Sequence, residues 1–417
     1  MVAENLTGHG ESRRRLLLEL FRAGLDRVDG RSCVARALRD GAGGGASLAG
    51  IWIAAVGKAA SAMVLGAHDA LGRSIQHVLL ITKDDHVSAE ARSLSGIGPT
   101  VEICESAHPL PDERSLEAGA RLLRWVDELP AHAQPLFLIS GGASSLVEVL
   151  EDGVTFADLA KINSQGMAEG VAIGELNARR ARVSRIKGGR LAARLHGRQA
   201  RALFISDVPG DDPSVIGSGL MGPAPGGDNV QRTIVASVHA AVDAVRGAAQ
   251  GWGLRVGAPG RVFDGDAVRL AIRFAHELQL SQAQVCVWGG ESTLELPANP
   301  GRGGRNQHLA LAAARLMTGQ PNLALLAAGT DGTDGPTEDA GGVVDGETVA
   351  RISLGGLDAD RCLVRADSNA ALAASGDLVH TGPTGTNVGD LVIGLNLSPQ
   401  EAEAVLERHG GTRPPML

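Results

Sequence analysis

Five short apolar runs in this chain each stop abruptly in a turn of small, glycine-rich or acidic residues. IWIAAV (Ile51–Val56) meets Gly57-Lys58, and LFLIS (Leu136–Ser140) meets Gly141-Gly142-Ala143-Ser144-Ser145. ALFIS (Ala202–Ser206) meets Asp207-Val208-Pro209-Gly210-Asp211-Asp212, and QVCVW (Gln284–Trp288) meets Gly289-Gly290-Glu291-Ser292. The run Leu323–Leu326 opens AAGTDGTDGPTEDAGGVV, Ala327–Val344. Runs this short, without helical period and bounded by turn residues, read as buried strands. Strands alternating with helical tracts predict a parallel sheet covered by helices on both faces.

The intervening segments fit that scheme. Apolar positions recur at helical spacing over Arg13–Arg39, with Ser12 as a capping residue, and over Glu113–Leu129. A long helical, charged tract is expected over Phe156–Leu195, and further strands at Val78–Thr82, Val101–Glu105 and Leu391–Leu395. Character changes near Gly251–Gly265, and Gln284 starts a second α/β unit. At 417 residues more than one domain is expected, here residues 1–250 and 251–417.

Composition excludes several function classes. Aromatic residues are 2% of the chain and tyrosine is absent, so base-stacking platforms are poorly supplied. A net charge of −8 without a basic run argues against a nucleic-acid partner. No apolar stretch reaches ~18 residues, so no membrane partner is expected. Four cysteines without a CxxC pair, and no secretory signal, point to reduced thiols and a cytoplasmic setting. A homo-oligomer is compatible with the sequence.

The chemistry concentrates at the strand ends. Glycines at Gly141–Ser145 let backbone N–H groups approach an anion, and a following helix N-terminus adds positive potential. Ser140, Gly141, Gly142, Ser144 and Ser145 are therefore candidate ligand contacts. Lys58 begins a helix, where the dipole disfavours a cation, so a phosphate-neutralising role outweighs a solvated one. Arg305 precedes a helix in GRGGRNQ and offers a bidentate fork for carboxylate or phosphate; it is favoured over Arg302. Asp331, Asp334, Glu338 and Asp339 crowd one loop, which suggests a divalent cation, with Asp331 and Asp334 as ligands. Gly217–Gly222 matches GxGxxG literally but leads into Pro223 instead of a helix, so it is discounted as a dinucleotide site.

The ordered set VGKAASAM, AHPLPDE, LISGGASSL, LNARRARVSRIKGGRLA, SDVPGDDPSVIGSG, GGESTL, GRGGRNQHLALA, AAGTDGTDGPTEDAGG and GPTGTNVGDL resembles the glycerate 2-kinase family of the MOFRL type, from roughly Arg15 to Leu395. The resemblance implies two α/β domains: a Rossmann-like three-layer parallel-sheet domain and a smaller C-terminal MOFRL-type domain, with the active site in the cleft between them. It implies phosphorylation of D-glycerate at the 2-hydroxyl with ATP and Mg²⁺. Lys58 and Arg305 would be the catalytic cations. Asp207, or Asp331 with Asp334, would hold the metal, and one of these carboxylates would accept the hydroxyl proton, for which Asp207 is named as catalytic. Ser144 and Asn306 would orient the acceptor, with Lys187, Glu291 and Thr330 as further binding residues. One departure from the family is a short connection at Ala224–Asp228. It leaves open a kinase for a longer hydroxy or sugar acid. Members have also been named hydroxypyruvate reductases, so an NAD(P)H-dependent reductase is the other alternative.

Overall fold

The computed structural model describes residues 11–40, 50–96, 98–168, 173–258, 260 and 262–409. They form two compact units, one of Val28–Ser237 with Gly385–Val388, the other of the chain up to Arg27, Val238–Thr384 and the chain from Gly389.

The first unit is built on a six-stranded sheet: β1 (Ile51–Val56), β2 (Ile75–Lys83), β3 (Thr100–Ser106), β4 (Gln134–Ile139), β5 (Ala200–Ile205) and β6 (Val230–Ala236). The order is β3-β2-β1-β4-β5-β6 and every pairing is parallel. Both faces are covered, which is why the central strands carry unbroken apolar runs. On one face Ala54, Leu79, Phe137 and Phe204 pack with Leu122, Trp125 and Val126 of the helix Glu113–Asp127. On the other, the helix Ala60–Leu71 packs on β1, β2 and β4, and the helix Gly30–Asp40 on β6. Burying each large apolar side chain contributes about 1.5–3 kcal/mol. The chain leaves β1 for β2 on one side, and β4 lies on the other. The carboxyl ends of β1 and β4 thus flank the switch point where such sheets bind ligands.

The second unit holds β7 (Phe263–Asp266), β8 (Val285–Thr293), β9 (Leu323–Gly329), β10 (Gly341–Asp345), β11 (Leu378–Val379) and β12 (Asp390–Asn396), in the order β11-β10-β9-β12-β8-β7. Only β7 and β8 are parallel; the other pairs are antiparallel. β9 lies between antiparallel neighbours, so the acidic loop after it is not at a switch point of a parallel sheet. The helices Ala267–Leu280 and Arg305–Met317 cover one face, through Phe274, Leu278, Leu309 and Ala313 against Trp288, Leu325 and Val392. On the other face lies the helix Glu11–Val28, where a Cβ at Gly24 would stand 2.9 Å from Val245 and 3.1 Å from Leu391. This packing explains why the units part at Ser237 and Val238 and not at the expected 250 and 251. The apolar stripes of Glu11–Val28 and of Val238–Gly251 belong to the second sheet.

Three local expectations are corrected. Arg13–Arg39 is two helices, Glu11–Val28 and Gly30–Asp40; Asp29 lies between them and accepts from the Ser32 amide at 2.8 Å. Ser12 lies inside the first helix and donates to Glu403 instead of capping. The tract Phe156–Leu195 contains Phe156–Ala168, Ile173–Arg182 and the single turn Arg190–Ala193, with Ser184 bridging to Leu150 between the last two. Among the described residues no helix is long and apolar enough to cross a membrane. Among the described residues Cys33, Cys104, Cys286 and Cys362 form no disulfide.

Candidate active site

In the first unit, the turns after β1, β4 and β5 come together. Gly57 follows β1 at φ 134°, and a Cβ there would stand 2.1 Å from Ser140 Oγ. Only glycine allows this approach. The Lys58 amide donates to the Gly141 carbonyl at 2.9 Å, and the Ala59 amide donates to Ser140 Oγ at 3.1 Å. Ser140 is fully buried and serves to tie the two turns together. The helix Ala60–Leu71 begins here without a side-chain cap. Gly141 is pressed against the third turn: a Cβ on it would lie 2.0 Å from Asp207 Oδ2 and 2.1 Å from Asn387 Nδ2. Asn387 Nδ2 itself donates to Asp207 Oδ2 at 3.4 Å. A Cβ on Gly142 would meet Lys58 Cγ at 3.1 Å and His108 Cδ2 at 3.2 Å. Lys58, His108, the glycine pair and Asp207 therefore share one small region. Ser145 Oγ fastens the His108 loop by donating to the Pro109 carbonyl at 2.8 Å, and Ser144 Oγ lies 2.7 Å from Ser218 Oγ.

Two expectations in this unit change. The helix after the glycine pair is the single turn Ala143–Leu146, so it contributes little dipole; the longer helix after Lys58 is the stronger source of positive potential. Lys187 is 2% exposed, and its ammonium is 2.5 Å from Glu148, which is 0% exposed. Ser184 Oγ also donates to Glu148. Burial lowers the Lys187 pKa and the Glu148 charge works against that shift. A cation held in this way braces the fold instead of reaching for a nucleotide. The Ala224–Asp228 connection is a tight loop closed by Asp228, which accepts from the Ala224 and Val230 amides at 2.8 and 3.0 Å and pairs with Arg232 at 2.6 Å. Its Pro223 carbonyl abuts Gly189. The GxGxxG stretch lies in a 3-10 turn, Ile216–Gly219, with Gly217 and Ser218 in left-handed conformation. No strand-to-helix junction exists there for a dinucleotide.

The second unit gathers charge at the start of the helix Arg305–Met317. Arg305 Nε and Nη2 donate to Asp390 Oδ2 and Oδ1 at 3.1 and 3.2 Å, and Nη1 stands 2.6 Å from Glu291. Burial lowers the guanidinium pKa, the carboxylates of Asp390, Glu291 and Asp334 raise it, and the net shift is upward. The bidentate fork expected to face a substrate thus holds Asp390. Glu291 lies inside β8, which runs on to Thr293, and is exposed. Asn306 Nδ2 donates to Asp390 Oδ1 at 2.9 Å, while its Oδ1 is buried without a partner. Thr330 is fully buried and donates through both N and Oγ1 to the Gly389 carbonyl, at 2.9 and 2.7 Å. Asn306 and Thr330 are thus buried scaffold in this structure. Arg302 is exposed.

The acidic loop does not converge on one ion. Asp334 receives the Asn306 and Gln307 amides on its two oxygens at 3.1 and 2.8 Å, closing the helix N-terminus. Burial pushes its pKa up to about 7, against the pull of those two amides. Asp331 accepts from the Thr333 amide at 3.0 Å, and Asp339 from Asn369 at 2.9 Å. Glu338 is exposed. Among the described residues no three His, Cys, Asp or Glu side chains are grouped to hold a metal. Amide donors relieve the like charges on Asp331, Asp334 and Asp339.

A relative from Thermotoga maritima called D-glycerate 2-kinase is 34% identical, covering 92% of this chain and 99% of its own. The chain belongs to the glycerate 2-kinase family of the MOFRL type. The family described as "Domain of unknown function (DUF4147)" matches residues 16–249, and the MOFRL family matches residues 284–390. A crystal structure of a glycerate kinase from Thermotoga maritima aligns with a TM-score of 0.80 at 33% identity, over 93% of this chain and 100% of that one. A relative from Agrobacterium vitis called a putative hydroxypyruvate reductase is 35% identical, covering 70% of this chain and 87% of its own. Within this glycerate 2-kinase family member, sequence reasoning on single residues passed over Asp390, Asn387 and Ser218. All three lie inside motifs that carried the resemblance, GPTGTNVGDL and SDVPGDDPSVIGSG. An acidic residue opening an otherwise apolar strand, as Asp390 opens DLVIGLN, was the available signal.

Proposed function

We propose that this protein is an ATP-dependent D-glycerate 2-kinase that forms 2-phosphoglycerate and ADP in the cytoplasm. The observation that carries the reading is the convergence of Lys58, the Gly141-Gly142 backbone and Asp207 at the switch point of the parallel sheet. The names of the relatives from Thermotoga maritima support the same activity. Phosphoryl transfer needs positioning and charge neutralisation more than covalent help. The 2-hydroxyl oxygen forms a bond to the γ-phosphorus, the bond from that phosphorus to the β,γ-bridging oxygen breaks, and ADP leaves. Lys58 neutralises charge on the moving group, while the uncapped amides at the start of Ala60–Leu71 face phosphate oxygens. Asp207 takes the hydroxyl proton. In the second unit, Arg305, held by Asp390 and Glu291, is the catalytic cation that the GRGGRNQ motif implies.

Magnesium enters as part of the nucleotide substrate. It characteristically takes one or two carboxylates together with phosphates and water. Asp207 fits that role; Asp334, with both oxygens on backbone amides, does not. The decisive experiment measures ADP release with D-glycerate and ATP beside NADH oxidation with hydroxypyruvate. ADP release without NADH consumption is the expected result, and the reverse pattern replaces the kinase with a reductase.

A further inference from the structure

The strands that carry Lys58, Gly141 and Asp207 at their carboxyl ends also border a cavity at their amino ends. It has a volume of about 630 Å³ and is bordered by Ile51, Gln134 and Ala200, the first residues of β1, β4 and β5. That size lies within the range of small-molecule sites. Leu38 and Leu71, at the ends of two helices, give it an apolar wall, and the rim carries carboxamides at Gln199, Asn229 and Gln231. Among the described residues a single charged side chain lines it, Arg201, and no carboxylate does.

Arg201 stands in register with Leu136 on β4 and with Gln231 on β6, so the three share one face of the sheet. Its side chain is half-buried, and burial lowers its pKa; among the described residues no acidic group opposes that shift. Arg232 on the neighbouring strand β6, by contrast, pairs with Asp228. A desolvated guanidinium without a counter-charge favours an anion, and the adjoining leucines favour an apolar body.

We propose that this cavity is a second small-molecule site, for an organic anion with an apolar body, anchored by Arg201. It is separate from the phosphoryl-transfer chemistry, being at the other end of the same strands. The test titrates full-length protein with anilinonaphthalene sulfonate, followed by fluorescence, in the wild type and in Arg201→Gln and Arg201→Lys. Arg201→Gln is expected to weaken saturable binding roughly tenfold or more, the scale of one lost charge-assisted hydrogen bond. Arg201→Lys should retain most of it, and ADP release from D-glycerate should be unchanged in both. Should Arg201→Gln fail to fold, displacement from the wild type decides: hexanoate should compete and hexanamide should not. Equal binding by Arg201→Gln and wild type, no saturable binding at all, or equal displacement by the neutral amide would overturn the proposal.

Discussion

Asp390 holds Arg305 by both arms of its guanidinium, at 3.1 and 3.2 Å, while itself 1% exposed. Asp390 also accepts from Asn306 Nδ2 and from the Ser292 amide, so a helix and a strand fix one carboxylate that in turn fixes one cation. Asp390→Asn should lower kcat/KM on the order of 10²-fold, the scale of misplacing a reacting group by about 1 Å. If Asp390 acts through Arg305, its effect should not add to that of Arg305→Ala. Additive losses in the double variant, measured by steady-state kinetics, would show that the two act separately.

Lys58→Ala should also cost on the order of 10²-fold in kcat/KM, as for loss of a preorganised charge. Its circular dichroism should stay native, because Lys58 sits on a turn held by backbone contacts to Gly141 and Ser140. Exposed Arg302 gives the contrast, and Arg302→Ala should change kcat/KM by less than about twofold. Comparable losses in the two variants would remove the special role of Lys58.

Lys187→Met should lower stability by about 3–5 kcal/mol, because it leaves the Glu148 carboxylate buried and unpaired. Adding Glu148→Gln should restore much of that loss. Urea denaturation measures both, and KM for ATP in the folded variant should stay near wild type. A large rise in KM at unchanged stability would return Lys187 to the binding site.

Asp334 makes a prediction about pH. Its carboxyl is raised from 3.8 to about 7 in the folded protein. The folded state therefore binds the proton more tightly than the unfolded chain does. The stability it contributes is present below pH 3.8 and is lost as pH rises through about 7. Wild type should lose stability relative to Asp334→Asn across that window. A difference between the two that stays flat with pH, measured by denaturation, would contradict the raised pKa.

The sequence is most legible where burial is two-sided. The strands β1, β4, β5 and β9 appear as apolar runs because helices cover both faces of each sheet. β6 and β7 were missed because edge strands such as VQRTIVA and FDGD carry polar residues. β11 has only two residues, and β10 opens on a glycine pair. In the candidate site, the placing of Lys58, Gly141, Gly142 and Asp207 was readable because each lies within three residues of a strand's end. The partners of the acidic loop were not legible, because spacing alone does not say which backbone amide each carboxylate finds. Asp334 finds its amides on a helix that starts 29 residues earlier, at Arg305. Lys187 and Glu148 are likewise a pair that only the folded chain brings together.

The most direct test of the central claim is a product assay coupled to enolase alone, without phosphoglycerate mutase. With D-glycerate and ATP, the purified protein should generate phosphoenolpyruvate in that assay, because transfer to the 2-hydroxyl yields enolase's own substrate. A signal that appears only when mutase is added would place the phosphoryl group on the 3-hydroxyl. No signal from D-glycerate, with ADP released from a longer hydroxy acid, would contradict glycerate as the acceptor.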